Sequence, residues 1–180
     1  MENNTAGFFK FFWRITAMHM ITYFAMGLVA MLVLNYEKAF DTPPLSYLMK
    51  PVDSPWVAAG PILQVLRGLV FAISLWYFRN NFLGVEYGWL KLWGLLLGLA
   101  VLSTVGPSPG SIEGMIYTKI PIDMQLRGYV EAFPQTMLMS LGVYYWYKKP
   151  GEAWNYVSAV LVGLVVLMCM AALTLGNSPK

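Results

Sequence analysis

One cysteine, Cys169, and one histidine, His19, are the whole supply of soft metal-ligating side chains in 180 residues. A single thiol excludes an intrachain disulfide. One histidine and one cysteine cannot build a four-ligand zinc site, and a haem would have only His19 or a methionine to hold it. No metal and no cofactor are therefore expected. Cys169 falls deep in an apolar run, where the role of a small apolar filler fits it. Charge is also scarce, at 12% of residues with a formal net charge of +3, and the basic residues are scattered. That pattern excludes nucleic acid as a partner. Catalytic signatures are missing too: there is no nucleophile elbow, His-Glu-x-x-His, Walker glycine loop or paired-aspartate motif of the intramembrane protease kind.

Apolar residues are abundant instead, at 58% of the chain. Such a composition lies outside the range of soluble domains. Five runs approach the roughly 20 residues that cross a hydrocarbon core about 30 Å thick. They lie near 11–34, 55–78, 88–106, 121–147 and 153–175, with helical rather than alternating character, which argues against a transmembrane β-barrel. The expected fold is an all-α integral membrane protein, a single-domain bundle of five transmembrane helices. The basic N-terminal flank resembles a signal peptide, but the apolar run to Leu34 exceeds a signal h-region, so it is read as a retained first span.

Lysine and arginine in short flanking loops set orientation. With the N-terminus cytoplasmic, Lys10, Arg14, Arg79, Lys91, Lys148 and Lys149 lie inside, against Lys38, Lys50, Lys119 and Lys180 outside. Five spans then put the C-terminus outside. The expected location is a bacterial-type plasma (inner) membrane, with membrane lipids as neighbours. Small residues four apart, Gly94 with Gly98 and Ala159 with Gly163, allow close helix approach. They mark the third and fifth spans for tight packing, inside the bundle, between copies or against another membrane protein.

Ser54 before Pro55 marks the start of the second span, and Pro121 that of the fourth. Pro134 removes a hydrogen bond to the Val130 carbonyl and predicts a kink. Around it, Asp123, Arg127, Glu131 and Gln135 recur every four residues and share one helix face. Charges within a bilayer are costly and commonly serve as counter-ions, proton carriers, ligand contacts or interhelical pins. Asp123 and Arg127 fall near the outer surface, with Arg127 placed to pair with both Asp123 and Glu131. Arg67 falls near mid-membrane with no acid one turn away, and Gln64 shares its face. The expectation is that Arg67, Gln64, Glu131, Gln135 and Arg127 converge in a polar cavity open to the outside.

His19 shares a face with Thr16 and Tyr23, and is expected either to pin a neighbouring helix or to extend a proton path toward Glu131. Glu113, between glycines in a long outer loop, is a candidate lid over the cavity mouth. These residues point to binding or transport of a small anionic or zwitterionic molecule, or of a proton. The alternatives are an accessory or scaffold subunit of a larger membrane complex, and a lipid-acting enzyme using Glu131 or Glu113 as acid and base. The missing signatures set the enzyme last.

Overall fold

A computed structural model describes residues 4–102 and 106–176, and every described element is helical. The end of the third predicted span at 103–105 and Lys180 lie outside the described residues. The chain runs through α1 (Asn4–Leu34), α2 (Tyr36–Asp41), a short 3-10 turn at Leu45–Tyr47, α3 (Pro55–Trp76), α4 (Arg79–Leu83), α5 (Gly88–Leu102), α6 (Ile112–Tyr117), α7 (Ile122–Arg127), α8 (Tyr129–Lys148) and α9 (Glu152–Gly176). Three stretches, Gly7–Leu34, Pro55–Trp76 and Glu152–Thr174, are long and apolar enough to cross a membrane. Helix α5 is equally apolar but shorter. Helix α8 is of spanning length, yet its Glu131, Gln135 and hydroxyl-bearing residues keep it outside that apolar set.

The hub is α1, which packs against α3, α8 and α9, while α5 packs mainly on α8 and α9 also contacts α3. Two glycines set the crossings. A Cβ at Gly68 of α3 would come within 2.6 Å of the Thr16 hydroxyl and 2.9 Å of its Cα, so backbone meets backbone there. At Gly142 of α8 a Cβ would meet the flexible end of Met18. The close approach therefore uses Gly68 and Gly142, and not the residues singled out by spacing. Gly94, Gly98 and Gly163 have open space where a Cβ would stand, and Ala159 is exposed.

Near Trp76 the core is aromatic and cationic. Phe8 and Phe11 pack on Trp76, and the Arg79 guanidinium lies 3.7 Å from the centre of that ring. Trp146 stacks on Trp154, and Arg14 approaches the same Trp146 at 5.8 Å. The turn between α4 and α5 docks onto α8, where Tyr144 donates to the Val85 carbonyl at 3.1 Å and Lys148 to that of Gly84 at 3.3 Å. Beneath them Ile15, Leu83, Leu92, Met139 and Val143 are buried.

The fourth predicted span is not one helix. It divides at Gly128 into α7 and α8, although Gly128 itself keeps helical angles (φ −60°, ψ −23°). The cause lies in Gln125, which is 2% exposed and is held by the preceding loop. Its amide donates to the carbonyls of Ile120 (2.8 Å) and Gly114 (3.3 Å), while its oxygen accepts from the Gly110 N–H (3.2 Å). Helix α7 thus belongs to the loop, and α8 to the bundle. Pro134 is accommodated inside α8, where Thr136 donates to the Ala132 carbonyl at 2.7 Å. Ser54 occupies the cap position of α3 but makes no side-chain cap bond, and Pro121 sits at the cap of α7 rather than inside it.

Candidate polar site between α1, α3 and α8

The polar residues of three helices meet at His19, which is 1% exposed in the middle of α1. Its Nε2 donates to Gln64 Oε1 of α3 at 3.0 Å, and its Nδ1 accepts from Gln135 Nε2 of α8 at 3.3 Å. These partners place the ring proton on Nε2. Gln64 passes the chain on through its Nε2 to the Gly60 carbonyl at 3.4 Å. The hydrogen bonds therefore run in one direction, Gln135 to His19 to Gln64 to backbone, and link α8, α1 and α3. Sequence spacing explains the arrangement on each helix, since Gln64 sits one turn from Gly68 and both face α1. The flat side of the imidazole is closed by Phe71, edge-on with centroids 5.1 Å apart, and by Tyr23 at 6.0 Å.

A second polar contact lies at the level of Glu131. Glu131 Oε2 accepts from the Tyr36 hydroxyl at 2.6 Å, and its other oxygen faces Gly27 of α1. Tyr36 is brought back over the bundle by Asn35, whose left-handed backbone (φ 49°) ends α1, and by stacking on Phe40 at 4.9 Å. Burial, then the hydrogen bond and charge of Glu131, push the Tyr36 phenol well above its ordinary value, so it remains a donor. Tyr23 follows one turn after His19 on α1, with its ring beside the imidazole. No continuous hydrogen-bonded path joins His19 to Glu131 among the described residues.

Arg67 departs from the expected contact. It forms no ion pair with Glu131 or with any other described carboxylate; its guanidinium lies 5.6 Å from the centre of the Phe71 ring and is exposed. Glu131 in turn has no cationic partner among the described residues. Comparisons with protein-family models, curated proteins and solved structures found no match.

The remaining expected members sit elsewhere. Arg127 pairs with Asp123 at 3.5 Å on the surface, with side chains 60% and 69% exposed, and does not reach Glu131. The ladder of four is split because α7 follows the loop. Glu113 lies in the first turn of α6, which packs on α5 and α7. Thus Gln64, Gln135, His19 and Tyr23 assemble, Glu131 and Arg67 flank them, and Arg127, Asp123 and Glu113 stand apart. Two residues escaped the sequence reading. Tyr36 meets Glu131 across 95 positions, a link that no local spacing signals. Gln125 lies midway between Asp123 and Arg127, two residues off the polar ladder, and only its buried bonds mark it.

Proposed function

We propose that this protein binds, and carries across or within the membrane, a small anionic or zwitterionic molecule held between Arg67 and Glu131. One observation carries the reading: Arg67 and Glu131 stand on different helices that meet at His19, and neither has an ion-pair partner among the described residues. A guanidinium and a carboxylate left apart on two helices fit a ligand that bears both signs, or an acid anchored on Arg67. Tyr23, whose ring lies beside His19, adds a hydroxyl to the same group of side chains. The chain Gln135–His19–Gln64 fixes α8 and α3 relative to α1, which sets the distance between the two charges.

In this reading the chain crosses a bacterial-type plasma membrane five times with the N-terminus cytoplasmic, α5 and α8 being the additional spans. Helix α8 has the length for it, at about 30 Å for 20 residues. The aromatic and cationic end built from Trp76, Arg79, Trp146, Arg14 and Lys148 supports placing that end at the cytoplasmic interface.

The test is binding by purified, lipid-reconstituted protein of a panel from short ω-amino acids to long-chain carboxylates. At least one compound is expected to bind, with affinity falling tenfold or more in Arg67→Gln and, for the zwitterions, in Glu131→Gln as well. Affinity unaltered in both variants removes the reading. The scaffold alternative draws on one observation, the open space beside Gly94, Gly98 and Gly163. It calls for a co-purifying copy or partner that is lost on Gly98→Leu.

A further inference from the structure

Arg67 sits on the seam between two surfaces of α3. On one side Gln64 and Phe71 turn toward His19. On the other, Leu63, Leu66 and Val70 are 42%, 66% and 60% exposed, on a face of the helix left open among the described residues. The guanidinium is exposed beside them. It lies about 14 Å along the helix from Trp76 and about 18 Å from Pro55, at 1.5 Å per residue. An arginine side chain reaches only several Å toward a polar surface. Neither end of the span is therefore within easy reach, and lipid tails supply no acceptor. An acceptor has to come to Arg67 from the side.

We propose that the ligand is an amphiphile entering laterally from the membrane, with its acidic head on Arg67 beside Phe71 and its hydrocarbon chain along Leu63, Leu66 and Val70. The proposal rests on the reading above that Arg67 anchors a ligand, and it adds the class of that ligand and its route. A water-soluble ion would gain nothing from the exposed leucines. A chain-bearing acid covers them while its head supplies the missing counter-charge, so charge and apolar surface are satisfied by one molecule. Phe71 holds the guanidinium at the edge of the polar group instead of letting it fold into the protein.

The experiment uses the protein in phospholipid nanodiscs with a diazirine-bearing long-chain fatty acid, followed by mass spectrometry of the segment 63–70. Saturable labelling there is expected, competed by unlabelled palmitate but not by butyrate. It is expected to fall at least tenfold in Arg67→Gln and to be retained within about threefold in Arg67→Lys, which keeps the charge. Equilibrium dialysis with γ-aminobutyrate runs in parallel. If that short zwitterion binds in an Arg67-dependent manner while labelling at 63–70 is unsaturable or indifferent to Arg67, lateral entry is overturned and the anchoring role stands. If neither probe depends on Arg67, both readings fall. Cross-linking of Arg67→Cys to a second copy, in a Cys169→Ser background, also overturns the proposal by assigning the face to a protein contact.

Discussion

Replacing His19 with leucine should loosen the bundle, while replacing all three members of its hydrogen-bonded chain should not. His19 is buried and joins Gln64 at 3.0 Å to Gln135 at 3.3 Å. In His19→Leu, Gln64 Oε1 and Gln135 Nε2 lose their interhelical partners, and the edge contact with Phe71 is lost as well. Interhelical hydrogen bonds in membranes are worth about 0.6 kcal/mol on average and up to about 1.7. Two of them, with an aromatic contact of about 0.5–1 kcal/mol, give an expected cost of about 2 kcal/mol at the average bond strength and about 4 at the maximum. The triple variant His19→Leu/Gln64→Leu/Gln135→Leu leaves no orphaned group, and should return to within about 1 kcal/mol of the wild type. Unfolding by sodium dodecyl sulfate in mixed micelles, followed by tryptophan fluorescence and far-ultraviolet circular dichroism, measures both. Equal stability of the single variant and the wild type refutes the chain. A triple variant as unstable as the single one would show that packing around the imidazole, not its hydrogen bonds, holds the three helices.

Gly68→Leu should force α3 from α1 at Thr16 and cost about 1–3 kcal/mol or more, read in the same unfolding assay, whereas Gly94→Leu, beside open space, should cost little as long as the protein is a single copy. The raised Tyr36 value has a sign. Its contribution to stability is fully present below the ordinary tyrosine value of 10.0 and is lost as pH rises above that toward the folded value. An alkaline stability titration should therefore fall more steeply in the wild type than in Tyr36→Phe. Asp123→Asn should change stability by less than about 1 kcal/mol, because its pair with Arg127 is solvent-exposed. Gln125→Leu should raise protease sensitivity in the 106–121 segment while leaving the α1–α8 contact in place, as read by limited proteolysis and mass spectrometry.

The helical class and the positions of α1, α3, α5 and α9 were legible because apolar length is a local property of the chain. The ladder on span four was legible as a pattern but not as a place. Periodicity cannot report that Gln125 binds the Gly110 to Ile120 loop and carries Asp123 and Arg127 away with α7. His19 and Gln64 were individually visible as polar residues in apolar runs. Their meeting depended on Gly68 admitting Thr16, and a glycine in a span signals close approach without saying to what. Gly94 and Gly98 gave the same signal, yet a Cβ added at either meets nothing within 4 Å among the described residues. Arg67 shows the converse limit: its need for a counter-charge was evident from position, but the direction it faces was not.

Because α1 touches α3, α8 and α9, the order of synthesis matters to it. His19 emerges first and must wait for Gln64, 45 residues later, and for Gln135, 116 residues later. Until α3 follows it the imidazole has no interhelical partner, and until α8 arrives it has Gln64 alone. Chains stalled before α8 should therefore display α1 and α3 as a half-finished pair, recognisable to membrane quality control by a polar edge that the complete protein conceals.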